Sequence, residues 1–301
     1  MVDFADRVAI VTGAGGGLGR EHALLLASRG AAVVVNDLGG DVHGLGASAS
    51  AADSVVDEIR SAGGVAVADY GSVSDPESAE AIVQGAIDEF GRIDIVVNNA
   101  GILRDKSFAN LEWPDLAAVL DVHLKGAFYV TRPAFVRMKE QGYGRIVLTS
   151  SSSGLMGNFG QANYGAAKMG LVGLMNVLKL EGAKSGIRVN AVAPIARTRM
   201  TEEIFGEAVA HFDPSYVAPA VAYLASESCQ VNGEIWSVGG GSVSRFFIGL
   251  THGYFKHPGR SGSLTVEDIV EHIEDIRDED GYIVPFSSQD EFAKLGPKLI
   301  D

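Results

Sequence analysis

The sequence predicts an α/β fold, a parallel sheet doubly wound with helices on both faces. Two observations carry this. Short β-branched runs are apolar almost throughout, as strands buried on both faces must be. Stretches of helical length and spacing separate them, and strict alternation of the two puts the strands into one parallel sheet. The runs Arg7–Thr12, Ala31–Asp37, Val65–Asp69 and Ile93–Asn98 read as strands, with Leu18–Ser28, Ala51–Ala62 and Pro76–Phe90 as the helices between them. A long helical stretch follows from about Pro114 to Gln141, then a strand at Arg145–Ser150 and a helix from about Ala162 to Ala183. Ile187–Ala193 and Gly233–Val238 read as two further strands.

After Gly239-Gly240-Gly241 the character changes. Thr265 can cap an acidic helix near Val266–Arg277, and Phe286–Lys298 is polar and mixed. The expected division is a nucleotide-binding and catalytic domain over 1–242 and a C-terminal extension over 243–301. An extension of about 60 residues is small for an independent domain. It reads as a surface-packing tail, a subunit contact or a lid.

The chain of 301 residues carries 24 Lys+Arg against 38 Asp+Glu, a formal charge of −14. That balance argues against nucleic acid or an anionic membrane as the main partner, but local fields still allow an anionic cofactor. A single cysteine, Cys229, removes any disulfide framework or Cys-rich metal site and suits a reducing compartment. No apolar run approaches the ~18 residues of a membrane span. Met1–Arg7 has no basic region leading into an apolar stretch, and Leu299-Ile300-Asp301 is not a peroxisomal tripeptide, so the expected location is cytoplasmic. Glycine, at 38 residues, is well above the usual ~7%, which points to tight turns and close backbone approaches.

The turn Thr12-Gly13-Ala14-Gly15-Gly16-Gly17-Leu18-Gly19 lies between the first strand and the first helix. There the backbone can approach a pyrophosphate, and the helix offers free N–H groups and a positive dipole end. Asp37 ends the second strand 18 positions after Gly19, near the expected spacing of about 20. A carboxylate there accepts from an adenosine ribose and repels a 2′-phosphate, and the turn holds no Lys or Arg, so NAD is expected over NADP. Asn98-Asn99-Ala100-Gly101 ends the fourth strand and can border the cofactor, or is simply a polar turn.

Tyr164 and Lys168 are four apart on a helix and share one face, with Ser151 at the end of the preceding strand. These residue types suit hydride chemistry at an alcohol carbon. A phenol of pKa near 10 is a weak base at neutral pH, but a cationic lysine and a positive nicotinamide ring favour the phenolate. Ser151 can hold the substrate oxygen, Lys168 can bind the nicotinamide ribose, and Tyr164 can take the hydroxyl proton. Scattered histidines without paired spacing give no zinc site.

TGAGGGLG, NNAG and Ser151 with Tyr164-x-x-x-Lys168 resemble the short-chain dehydrogenase/reductase family over about residues 7–242. The resemblance implies a Rossmann-type sheet of order 3-2-1-4-5-6-7 and a homodimer or homotetramer built on helix pairs. It places Gly13, Gly17, Leu18, Gly19, Asp37, Asn98, Ala100 and Gly101 at the cofactor, with Tyr164, Lys168, Pro194, Ile195 and Thr198. VVVNDLGGDVHG, NNAGILRDKSF, VHLKGAF and GNFGQANYGAAK look more specifically like the (3R)-hydroxyacyl-CoA dehydrogenase part of type 2 peroxisomal multifunctional β-oxidation enzymes. That implies NAD-dependent oxidation of a (3R)-3-hydroxyacyl-CoA, of fatty or sterol side-chain origin, by a stand-alone bacterial enzyme. The rivals are a hydroxysteroid or other secondary-alcohol dehydrogenase that needs no CoA, and a nucleotide-binding subunit without turnover.

His123 stands where the family usually has an Asn of a proton relay, so it is a relay residue or a structural helix residue. Gly71 replaces a usual Asp near the adenine, leaving Asp69 and Ser72 as adenine contacts. The Gly-rich stretch Gly39–Ala47 either folds over the adenosine side or is a flexible loop. Asn158, Phe159, Gln161 and Asn163 can line an acyl pocket, with Phe159 more a packing residue. His22 reads as a helix-surface residue, Trp113 and Trp236 as core or interface anchors, and Cys229 as a small buried residue.

Overall fold

The computed structural model describes residues 2–197 and 211–300. Seven strands follow the expected runs: β1 Val8–Thr12, β2 Ala32–Asn36, β3 Val65–Asp69, β4 Ile95–Asn98, β5 Gly144–Thr149, β6 Ile187–Pro194 and β7 Ile235–Gly239. All adjacent pairs among these seven are parallel, with Thr12 opposite Asn36 and Asn36 opposite Asp69. The order is 3-2-1-4-5-6-7, extended at the edge by an eighth strand, β8 Ser242–Phe246, which the sequence pattern did not suggest. The expected doubly wound α/β sheet is therefore present. Every residue of β1, β4 and β5 is buried, which is why these runs are apolar without alternation.

Helices α1 Gly17–Ser28, α2 Ser50–Ser61 and α3 Pro76–Phe90 match their expected spans. α3 starts where Asp75 accepts from the Ser78 amide with Pro76 at its first position, and stops at Gly91 in the left-handed region. The single stretch expected over 114–141 is in fact α4 Trp113–Leu120, a wide π-turn over Asp121–Lys125, and α5 Gly126–Gln141. After β5 come the short α6 Ser152–Leu155, α7 Ala162–Gly182 and, later, α8 Ala218–Ala225. Among the described residues, no helix is long and apolar enough to cross a membrane.

Two readings of single residues are corrected. His22 is not on the surface but fully buried, because the face Gly19, His22, Ala23, Leu26, Ala27 is the inner face of α1. Burial without a hydrogen-bond partner pushes its pKa down to about 3, so it is a neutral core residue. Phe159, expected to pack, is 91% exposed. Trp236 is an anchor, stacked on Tyr223 with ring centroids 5.4 Å apart, and Cys229 is buried as expected.

The chain forms two compact units, Met1–Arg245 and Phe246–Asp301. The second contains α9 Val266–Glu271, α10 Ile273–Arg277 and α11 Ser288–Ile300. Thr265 caps α9 through a reciprocal capping box with Asp268, and the expected helix breaks at His272, whose ring stacks on Tyr254. Lys256 pairs with Asp268 at 2.6 Å and holds that carboxyl down to about 2. No described residue of 247–300 is fully buried.

At the amino ends of the strands, the fully buried Asp94 carboxylate accepts from the Val8 amide, from Arg7, and twice from Arg92. Truncation would leave the Val8 amide and two guanidinium groups short of their acceptor. Asp94→Ala is expected to lose about 2 kcal/mol, read as a lower urea midpoint at unchanged slope.

Candidate active site

The carboxyl ends of β1 and β4 are tied together by one hydroxyl. Thr12 Oγ1 accepts from the amides of Asn99 (3.0 Å) and Ala100 (3.1 Å) and donates to the Val97 carbonyl. Asn99 answers by donating through Nδ2 to the carbonyls of Thr12 and Gly13, both at 3.1 Å. The turn is thereby pressed against Ala100. A Cβ at Gly13, which has φ +64°, would sit 2.8 Å from the Ala100 Cα, and one at Gly19 would sit 2.2 Å from the Gly13 carbonyl. α1 opens at Gly16–Gly17 with no side-chain cap and no acidic residue in its first turn, so its first amides remain available to an anion. Leu18 packs back onto the main core. This cradle fits a pyrophosphate.

Asp37 follows β2. Its carboxylate accepts from the Gly15 amide (2.8 Å) and the Gly39 amide (2.7 Å), which fixes it beside the turn. Asp69 is committed to the end of the sheet, accepting from Asn36 Nδ2 (2.7 Å) and the Gly71 amide (2.9 Å). Asn98 faces the opposite side from Asn99 and donates to Thr131 on α5 at 2.9 Å. Asn99, read in the sequence only as part of the Asn98–Gly101 turn, is the one that organises it. The alternation of strand side chains is the signal that separates these two neighbours. Pro194 closes β6, and the Ile195 amide donates to the Val238 carbonyl at 2.7 Å. Thr198 lies outside the described residues.

Ser151, Tyr164 and Lys168 converge beyond β5. Ser151 caps α6: its Oγ accepts from the Ser153 amide at 3.1 Å, leaving its proton free to donate. Its hydroxyl is close enough to Tyr164 to favour the phenolate electrostatically. Lys168 is buried, its Nζ donates to the Thr149 carbonyl at 2.5 Å, and it sits 5.4 Å from the Tyr164 ring centroid. Ser150 Oγ donates to the Lys168 carbonyl, so the end of β5 grips α7 twice. Burial pushes the Tyr164 phenol up and Ser151 pulls it down, with a net rise. Burial also lowers Lys168 to about 7. The protein alone therefore disfavours both charges.

His123 lies in the π-turn, edge-on to Tyr164 at 5.1 Å between centroids. Its Nε2 is 3.0 Å from the Ile102 amide and 2.8 Å from the Ile102 carbonyl, and Nδ1 has no partner. Burial and the nearby Lys168 hold it neutral, well below its ordinary pKa. His123 and Lys168 line a cavity of about 10 Å³ with Thr12, Asn98 and Ala100, the room that one water needs. A Cβ at Gly101 would lie 2.3 Å from the His123 ring, so the glycine expected at the cofactor is required by the histidine. Asn163, expected to line a pocket, is turned inward: it accepts from the Tyr164 amide and donates to the Arg104 carbonyl.

These features agree with what comparison with known proteins finds. Residues 7–208 match the family model for short chain dehydrogenases. A short-chain type dehydrogenase/reductase of Mycobacterium tuberculosis is 56% identical over 246 residues, covering 81% of this chain and 86% of its own. The hydroxyacyl-CoA dehydrogenase ChsB1 of the same organism is 40% identical over 262 residues, 80% of each. The full-length peroxisomal multifunctional enzyme type 2 of Drosophila melanogaster superposes with a TM-score of 0.83 at 39% identity, covering 99% of this chain. The chain spans half the length of that enzyme. The Gly-rich cradle, the parallel sheet and the family match together make this chain a member of the short-chain dehydrogenase family and an oxidoreductase.

Proposed function

We propose that the protein oxidises a (3R)-3-hydroxyacyl-CoA to the 3-oxoacyl-CoA with NAD. The observation that carries the reading is the convergence of Ser151, Tyr164 and Lys168 beside the Thr12–Gly19 cradle. The acyl-CoA assignment rests on similarity to a hydroxyacyl-CoA dehydrogenase and to the multifunctional enzyme; fatty and sterol side-chain acyl groups are the proposed substrates.

In this reading Gly13, Gly17, Leu18 and Gly19 hold the pyrophosphate, Asp37 the adenosine ribose, and Asp69, Ala100, Gly101 and Ile195 border the rest. Bound nicotinamide would supply the hydride acceptor and a positive charge. Ser151 donates its free proton to the substrate oxygen and orients it. Tyr164 takes the hydroxyl proton as the C–H hydride departs. Lys168, with its ammonium near neutrality, tips toward the charged form when ribose hydroxyls solvate it, and so favours the phenolate. Neutral His123 and one water in the cavity can carry the proton onward from Lys168. The exposed apolar residues Phe128 and Val136 of α5 and Val177 and Leu180 of α7 support a homodimer or homotetramer built on those helices.

NAD rather than NADP is supported by the fixed Asp37 carboxylate. Arg20, which follows the turn directly in sequence, is spent on Glu21 and on both Glu58 oxygens at 2.6–2.7 Å. Asp37→Ser should narrow the preference for NADH over NADPH about tenfold or more in dissociation constants. Tighter NADPH binding by the native protein would refute the NAD assignment.

NADH formation from paired (3R)- and (3S)-3-hydroxyacyl-CoA, with free hydroxysteroids alongside, tests the substrate class. Preference for (3R)-acyl-CoA is expected, and turnover of free alcohols alone would replace it with the CoA-independent reading. Tyr164→Phe should cost ~10²-fold or more in kcat.

Lys168→Met should abolish turnover yet stabilise the fold at pH 7 by on the order of 2 kcal/mol, by removing a desolvated cation. With its folded pKa near 7 and an unfolded value near 10.5, Lys168 binds more protons unfolded between these limits. Wild-type stability should therefore gain on that of the variant as pH rises from 7 toward 10, read by thermal melts.

A further inference from the structure

The Gly-rich segment after Asp37 is neither idle nor part of the catalytic group. It leaves the end of β2 and returns on itself at a tight neck, where the Ser48 amide donates to the Leu38 carbonyl at 3.0 Å. Gly39, at φ +77°, is required there, since a Cβ would fall 1.9 Å from the Ser48 carbonyl oxygen. Asp41 shapes the tip by accepting from the amides of His43 (2.8 Å) and Leu45 (2.9 Å).

The tip then docks on the segment that follows β4. The Leu103 amide donates to the Val42 carbonyl at 2.9 Å, and Arg104 Nε donates to the His43 carbonyl at 2.9 Å. His43 Nδ1 lies 3.1 Å from the Leu103 carbonyl. A carbonyl only accepts, so Nδ1 carries the proton. In the sheet β2 and β4 flank β1, so the segment passes over the end of β1, where the pyrophosphate cradle begins.

The two sides of this closure differ. Leu103–Arg104 is a fixed post: Arg104 pairs with Asp115 at 3.0 Å, accepts from Asn163 at 2.9 Å, and neighbours Ile102, which holds His123. The loop has no fully buried residue over 38–48, and Leu45 is 60% exposed. Few apolar contacts and a handful of hydrogen bonds make it the side that opens.

We propose that residues 38–48 form a latch that gates dinucleotide exchange, with His43 as its positioning residue. The proposal rests on the NAD-binding reading above. The three docking bonds run between parts of the protein alone and need no ligand to form. They therefore hold the loop closed equally in the free and the loaded enzyme. Weakening them lowers the barrier to entry and to release together, and leaves the equilibrium where it was.

Stopped-flow fluorescence of NADH binding and release tests this in the full chain and in two variants. His43→Ala should raise both rate constants by the same factor, about twofold to tenfold for one lost hydrogen bond, with Kd unchanged. His43→Asn, whose amide can reach the same carbonyl, should stay close to wild type. Hydrogen exchange at the Leu103 amide should quicken in His43→Ala alone. Unchanged rates in His43→Ala would overturn the latch, as would a rise in release alone, which marks a simple ligand contact. Failure of the native chain to bind NADH would instead overturn the NAD reading itself.

Discussion

A threonine hydroxyl at the end of β1 holds two amides of the β4 turn, and most of the site depends on that bond pair. Parallel strands deliver their carboxyl ends to one edge of the sheet, but register alone does not close the gap between neighbouring loops. Thr12 and Asn99 close it reciprocally, side chain to backbone in both directions. The glycines of the first turn follow from this: once the turn lies against Ala100 there is no room for a Cβ at Gly13. The Asp37 carboxylate then completes the arrangement from the other side through Gly15.

Function sets the electrostatics against stability at the far end of the same edge. A buried lysine held to about 7 is a cost to the folded chain at neutral pH, and burial also holds the neighbouring phenol in its neutral form. The fold tolerates them because the end of β5 grips α7 through Thr149 and Ser150, on a sheet whose centre is fully buried. A site that disfavours both charges by itself would, in the proposed reaction, have its acid–base chemistry coupled to what the neighbouring cradle holds.

Most of the fold was legible because parallel strands buried on both faces leave no doubt about their extent, and because Tyr164 and Lys168 share a helix face by spacing alone. The misses have physical causes. β8 is largely exposed, so Ser242–Phe246 lacks the apolar run that marked the others. Histidine is at home in water or in a core, so His22 could be placed only by its spacing from Gly19, Ala23 and Leu26. Asn98 and Asn99 are chemically identical, and only the alternation along β4 separates the one that binds Thr131 from the one that ties the turn. The need for glycine at 101 was readable, but its cause, the His123 ring, belongs to tertiary packing.

The π-turn at Asp121–Lys125 also sets the phase of two helices. From Val119 of α4 to Met138 of α5, both fully buried, the chain advances about 5.3 turns at the ordinary pitch of about 3.6 residues. An unbroken helix would leave those side chains about a quarter-turn out of line. The wide turn absorbs about one residue and restores about five whole turns, so Val119 and Met138 share one face of the pair. A single-residue deletion within 121–125 would keep that face while removing the bulge that carries His123. The bulge is thus the separable part of the pair, an insertion the helix can gain or lose without surrendering its seat on the sheet.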